Sequence, residues 1–532
     1  MIKKLMTAIF LAFMLISCGD SNSSDLTTLN YNASEEGKTL DQQLATSQSS
    51  IQILSFLQEG LSKLDEHLKP VPALAKSWDI SEDGLTWTFH LKENLKWSNG
   101  DKLTAHDFKF AWLRALKPET ASEYAYMLFP IKNAEEYNAG KVKAEEVGIE
   151  VLDDLTLKVT LFAPTPYFDS LVAFITYTPA NEKFVTEQGE NYALEADKIL
   201  SSGPFSVKSW THNSNMVLVK NENYYDKDDI KLETVNIKFI KDSSAELNAF
   251  KNEEIDIAKL TPAQYQEFKN DERVKQVLLA TTWYLEYNVN NKFLSNKKIR
   301  KALLLSIDKK EFNEIVSHGI NIPAYTLTPK NVGMSGLNGG DFVAEVGDLV
   351  PKFNVEKAKQ LLAEGLKELG MEKAPVVSLI LNDSGANKLF GEAIQEYIRK
   401  NLGVEIKIEL MAFKERLARM SNNNFDIVLS GWGADYQDPM TFLDLFVTNG
   451  GNNHTGYSNP EYDKVIKIAK STADRKVRFE AMKRAEEILE EDMPIGVLHQ
   501  PRRNYLVNAK LKNVIFPAIG VDLLFNKSYK VK

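Results

Sequence analysis

Among the residues that could do chemistry in this chain, one carboxylate is set apart by its surroundings. Asp435 lies in Gly431-Trp432-Gly433-Ala434-Asp435-Tyr436-Gln437-Asp438-Pro439. The approach to it (Phe425, Ile427, Val428, Leu429) is apolar and β-prone, so a buried strand is expected to run into a glycine-opened turn. An aspartate placed there among aromatic rings has two ordinary uses. It can cap its own turn through a side-chain hydrogen bond, or it can meet a cationic group on a ligand. The local pattern leaves both open.

Groups for bond-breaking chemistry do not assemble. The seven histidines (His67, His90, His106, His212, His318, His454, His499) form no HExxH and no close pair, so a clustered metal site is poorly supported. There is no GxxxxGK[ST] and no GxGxxG after a strand. Gly333-Met334-Ser335-Gly336 imitates a serine elbow, but it lacks the second glycine at the right spacing and reads as a surface loop. Acid pairs such as Asp153-Asp154 and Asp228-Asp229 read as solvated turns. These residues point to a binding protein without a cofactor rather than to an enzyme.

The chain has 532 residues, three to four domain-lengths, so sizeable cores are affordable. Its net charge of -9 is spread with acids and bases interspersed, and no basic stripe is visible, which argues against nucleic acid. The single cysteine is informative by position. Lys3 and Lys4 precede an apolar run, Leu5 to Ile16, broken only by Thr7; Ser17, Cys18 and Gly19 follow. This is the layout of a secretory signal, too short for an ordinary membrane span. Leu15-Ile16-Ser17-Cys18 looks like a bacterial lipobox, so residues 1–17 are expected to be removed and Cys18 to carry lipid. Loss of Lys3 and Lys4 takes the charge from -9 to -11. Residues 18–30 are small and polar, as a flexible tether should be. The absence of any other cysteine means a fold without disulfides.

The elements that must hold Asp435 in place are mixed. Leu85–Leu91, Leu155–Leu161, Met216–Val219 and Val235–Ile240 alternate with period two and predict half-buried strands. Residues following Asn296 up to Ile307 carry an apolar helical face, and so do Val477 to Leu489, stopped by Met493-Pro494. A helix over 355–365 is expected to end at Gly365. No long linker separates these segments, which predicts lobes joined by several crossings.

Taken in order, Ala73-Leu74-Ala75-Lys76-Ser77-Trp78, Ser81 to Leu91, Lys96-Trp97-Ser98-Asn99-Gly100, Leu103 to Phe108, Ser202-Gly203-Pro204-Phe205, Asn221 to Tyr225, Asn296 to Asp308 and the Asp435 segment resemble the solute-binding proteins of oligopeptide ABC importers. The resemblance runs from about residue 40 to the end. It implies an α/β, two-lobed periplasmic-binding-protein-like fold of type II with an extra third domain, and a ligand cleft between lobes joined by a hinge. The first lobe is expected over 25–70, 195–280 and 505–532, the inserted domain over 71–194 and the second lobe over 281–504. The implied function is capture of extended oligopeptides and delivery to an ABC permease, by a monomer that meets the membrane through its lipid alone.

The resemblance also assigns a site. Asp435 pairs with the peptide's α-ammonium. Gly431 and Gly433 let the ligand backbone approach as an added strand, with Glu59-Gly60-Leu61 opposite. Trp432, Trp283 and Tyr284 form apolar walls. Where such receptors offer cations to the peptide carboxylate, this chain has Leu429, Met420 and Asn387, with Arg419 one position off as a substitute. The carboxyl end of the ligand is therefore less tightly specified. Relatives of this kind also carry nickel chelates, haem, oligosaccharides or signalling peptides; a surface peptidase is the enzymatic alternative.

Overall fold

A computed structural model describes residues 26–332 and 335–532. The expected signal segment and Cys18 lie outside the described residues. The tether does not extend to residue 30 as expected. Strand Thr28–Asn32 pairs in parallel with Thr234–Lys238, because Leu29 and Tyr31 are buried at its inner face.

The fold is α/β and two-lobed. Four sheets do most of the work. In the first lobe, Thr28–Asn32, Thr234–Lys238, Asn215–Lys220 and Phe205–Thr211 form one sheet, and Arg502–Val507 lies between Ile257–Leu260 and Val274–Leu278 in another. The inserted region makes an antiparallel sheet of Ala75–Ile80, Thr86–Leu91, Thr156–Thr160 and Ile149–Asp153. It does not build a separate core. Leu29, Phe56 and Phe205 of the first lobe share one apolar cluster with Trp87, Phe108 and Trp112 of the insert. The second lobe has its own core around a mixed sheet, in the order Ile322–Pro323, Ile495–Gln500, Thr281–Tyr287, Ile427–Gly433, Val377–Asn382, Ile406–Met411.

Two connections join the lobes side by side. One is Leu279-Ala280, the other Pro501. Leu279 N–H donates to the Pro501 carbonyl at 3.0 Å, and Gln500 Nε2 to the Leu279 carbonyl at 2.8 Å. Adjacent crossings of this kind can absorb a hinge rotation with few dihedral changes. The second crossing comes at Pro501, ahead of the expected 504, because Asn504 is already in register with Leu260 and Gln276 of the first lobe.

The helix begun at Val355 continues to Glu368, past Gly365. Gly365 is buried, and a Cβ there would stand 2.5 Å from Ile299 Cγ1. It serves close approach to helix Lys297–Leu305, and Gly370, at φ 63°, lies just past the helix end where a left-handed residue is common. Among the described residues no helix is long and apolar enough to cross a membrane.

Candidate ligand-binding site

Strand Ile427–Gly433 runs antiparallel to Thr281–Tyr287 along its whole length, but pairs with Val377–Asn382 only at Ile427 and Val428. Beyond Val428 that second edge has no strand on it among the described residues. Ala434 N–H donates to the Ala280 carbonyl at 2.8 Å, on the Thr281–Tyr287 side. By strand alternation Trp432 and Ser430 face the same way, and Gly431 and Gly433 turn their N–H and C=O groups to the open edge. Both glycines have reasons beyond that edge. A Cβ on Gly431 would sit 2.9 Å from the Trp283 ring, and one on Gly433 3.2 Å from Thr281 Oγ1. Trp283 is stacked with His499 and Phe390, so it has little room to give way. Gly431→Ala is expected to destabilise the second lobe by about 1–3 kcal/mol through overpacking, read as a lower urea midpoint at unchanged slope.

Asp435 stands just past this strand. Its backbone N–H donates to Thr441 Oγ1 at 3.1 Å, which fixes the turn. Its carboxylate accepts from the Tyr126 hydroxyl at 3.3 Å, across from the inserted domain. Burial pushes the carboxyl up to about 6, with the Tyr126 hydrogen bond opposing. Among the described residues no lysine or arginine acts on it. The group is therefore a partly desolvated acid with a neutral partner, and an ammonium brought beside it would favour its charged form.

Its neighbours tie the lobes together. Tyr436 stacks on Tyr167 of the insert, ring centroids 4.7 Å apart and planes 9° from parallel. Arg478 lies over the Tyr167 ring at 5.6 Å and holds Asp438 through two bonds, 2.8 and 2.6 Å. Arg478 and Asp438 are both buried.

A cavity of about 510 Å³ opens between the lobes, with Asp435 and Tyr436 on one wall and Ile51, Phe174, Ile519 and Leu524 among the groups facing them. Glu59 and Gly60 line it; Leu61 does not, being fully buried in the core. Part of the backbone of Glu59-Gly60-Leu61 is already bonded within the first lobe. The Gly60 carbonyl accepts from Leu74 N–H, the Leu61 carbonyl from Ala73 and Ala75, and Glu59 N–H donates to Ser202 Oγ. The Glu59 carboxylate is held by Lys63 at 3.0 Å and the Tyr224 hydroxyl at 2.8 Å.

The expected aromatic walls divide. Trp283 and Tyr284 point to opposite faces of their strand; Trp283 packs beside His499 and Phe390, and Tyr284, 3 % exposed, packs on Phe446. Tyr284 belongs to the core of the second lobe, and the half-buried Trp283 packs against that core. Trp432 is half-buried, opposite Thr282 in register, and its Nε1 has no protein partner. Leu429 and Met420 are buried core residues, and Asn387 sits in the first turn of helix Gly385–Leu402. Arg419 cannot substitute for a missing cation, since it pairs with Glu409 at 2.7 Å and with the Asn424 carbonyl. Three residues earlier, Arg416 donates to the Leu429 carbonyl at 3.1 Å and to Ser430 Oγ at 3.2 Å. Neither Arg416 nor Tyr126 carries a sequence signal that marks it; each reaches the site only through the fold.

Two lobes hinged on paired crossings, with a wall carboxylate and an open strand edge at the cleft, define a bilobal solute receptor. The family model for bacterial extracellular solute-binding proteins, family 5 Middle, matches residues 69–454, and the chain belongs to that family. It is 34% identical over 522 residues to the oligopeptide-binding protein OppA of Bacillus subtilis (strain 168), covering 96% of this chain and 94% of the relative. It is equally 34% identical over 529 residues to the dipeptide-binding protein DppE of the same organism, covering 97% of each. The solved structure of Listeria monocytogenes OppA bound to peptide superposes with a TM-score of 0.80 at 38% identity, over 96% of this chain and 100% of that one.

Proposed function

We propose that this chain captures peptides in an extended conformation and hands them to the permease of a peptide ABC transporter. The observation that carries the reading is Asp435: a half-buried carboxylate on which, among the described residues, only a tyrosine hydroxyl acts, beside the open backbone edge of Gly431 and Gly433. The ligand's α-ammonium pairs with Asp435, and its main chain adds along the edge regardless of its side chains. The named binding partners of OppA and DppE support the peptide class. Their equal identity to this chain leaves ligand length to be decided by the cleft itself.

The receptor acts outside the cytoplasm as a monomer, anchored by lipid on Cys18. One acyl chain holds a protein to a membrane only marginally, so the anchor carries several. It binds without chemistry; closure of the lobes on the ligand is the working step, driven by the ligand's better contacts in the closed state.

Calorimetry with a mixed-sequence pentapeptide tests this, after bound ligand has been stripped by unfolding and refolding. The free-amine peptide is expected to bind at least tenfold more tightly than its N-acetylated form. Equal affinity for both would remove the amine from the recognition, and binding of neither would move the ligand class to non-peptides such as a sugar or chelate.

A further inference from the structure

The chain is acidic, with a net charge of -9, yet residues 508–532 hold five lysines against Asp522 alone. Asp522 is buried and matched by Lys259 and Arg503. The fold gathers this basic stretch at one end of the first lobe. Leu511–Lys512 pairs with Tyr529–Lys530 in a short antiparallel ribbon. Asp256 pins the ribbon beside the first strand. Its Oδ2 accepts from Asn30 N–H at 2.8 Å and pairs with Lys530 at 2.8 Å, and its Oδ1 accepts from Asn508 Nδ2 at 2.9 Å. Lys510, Lys512 and Lys532 stand exposed there and make no ion pair among the described residues. Tyr529 and Val531 are exposed with them. A notch of about 300 Å³ opens beside Lys510, lined also by Phe250, Lys251, Phe268 and Arg273. Glu253 is the acid on its wall; Glu254 and Asp229 are taken by Lys238 and Lys527. The described chain begins at this same end, and Thr28 comes ten residues after Cys18, a reach of at most about 35 Å.

We infer that this end of the first lobe is a docking face for an anionic phospholipid surface, and that it holds the tethered receptor with its first lobe down. The inference rests on the lipid reading of Cys18 given above, which keeps the face within reach of the bilayer. An anionic bilayer repels the net-acidic body, so the orientation that presents unpaired lysines is favoured. The attraction of each lysine fades within a Debye length, about 8 Å at physiological salt, so the contact is close. Tyr529 adds a ring with an apolar body and a polar tip, suited to the headgroup layer. The notch offers a phosphate headgroup the ammonium groups of Lys251 and Lys510.

The test is energy transfer on vesicles. Cys18 is the chain's one cysteine, so in the mature lipoprotein an introduced cysteine is the sole free thiol. Ala509→Cys, on the face, and Ser471→Cys, in the second lobe, each carry a fluorescent donor, with an acceptor on the lipid headgroups. On phosphatidylcholine vesicles with about one third phosphatidylglycerol, at low salt, transfer from residue 509 is expected to be at least twofold that from residue 471. That ratio is expected to drop on pure phosphatidylcholine, in about 0.5 M salt, and in a Lys510→Gln, Lys512→Gln, Lys532→Gln variant that still binds peptide. A ratio that is the same on both lipids and in the variant overturns the docking face. Flotation with pure phosphatidylcholine in high salt reports the lipid anchor by itself. A receptor that floats there without any dependence on the lysines keeps the anchor and loses the face. One that floats only with the anionic vesicles at low salt keeps the face and loses the anchor.

Discussion

Asp435→Asn is expected to weaken binding of a free-amine pentapeptide about a hundredfold, about 3 kcal/mol, and to leave binding of the acetylated peptide almost unchanged. The asparagine keeps the shape and still accepts from Tyr126, so the loss reports the charge pair. The same carboxylate sets a pH profile. Without ligand its carboxyl titrates at about 6; beside an ammonium it is held lower. Protons therefore compete with the ligand below pH 6, and affinity is expected to fall by up to about tenfold per pH unit there. It should be flat from about pH 6.5 to 7.5 and decline again as the peptide amine loses its proton, near pH 8. Stability moves the other way. A carboxyl whose folded value is about 6, above its ordinary 3.8, binds more protons folded than unfolded, so it subtracts stability as pH rises from about 4 to 6. The asparagine variant should melt higher than the parent at pH 8 and show no such gain at pH 4. A flat affinity profile for the parent would remove Asp435 from ligand recognition.

Three residues on, Asp438 is expected to behave in the opposite sense. Asp438→Ala leaves the buried Arg478 guanidinium without its carboxylate. Uncompensated buried charge costs about 3–5 kcal/mol, which for a lobe of this size corresponds to a fall of roughly 10 °C in melting temperature. Replacing both partners, Asp438→Leu with Arg478→Met, should recover most of that loss. A single variant that melts like the parent would show the pair to be solvated. Asp435 and Asp438 thus separate two roles within one short segment, one felt in affinity and the other in stability.

Much of the scaffold was legible in the sequence because it rests on local periodicity. The alternating run around Trp87 and Phe89 became strand Thr86–Leu91, with those two rings inward. Asn296 caps its helix through Lys298 N–H, and Met493, at φ 52°, ends the last long helix before Pro494. Gly365 misled, since a glycine near a helix end and one under a crossing helix look alike in sequence. At the site, Asp435 and its glycines stood out as a contiguous motif. Tyr126 did not, because its contact with Asp435 spans 309 residues and no spacing rule links them. Glu59-Gly60-Leu61 was matched by residue type; that residues 73–75 take its Gly60 and Leu61 carbonyls could be seen only in the fold.

The path of the chain through the three-stranded sheet constrains the order in which the molecule can be made. Arg502–Val507 is the middle strand there, and Phe525 stacks on Phe56 of helix Gln48–Leu57 at 3.9 Å. Until Arg502–Val507 has been made, Ile257–Leu260 and Val274–Leu278 lack the strand that joins them, and both present unpaired edges. The second lobe, contiguous from Thr281 to Gln500, also closes late, because Ile495–Gln500 lies inside its sheet. Both lobes are therefore completed by one late stretch of chain, and the strands of the first lobe, made earliest, stay open to aggregation and to chaperones for longest.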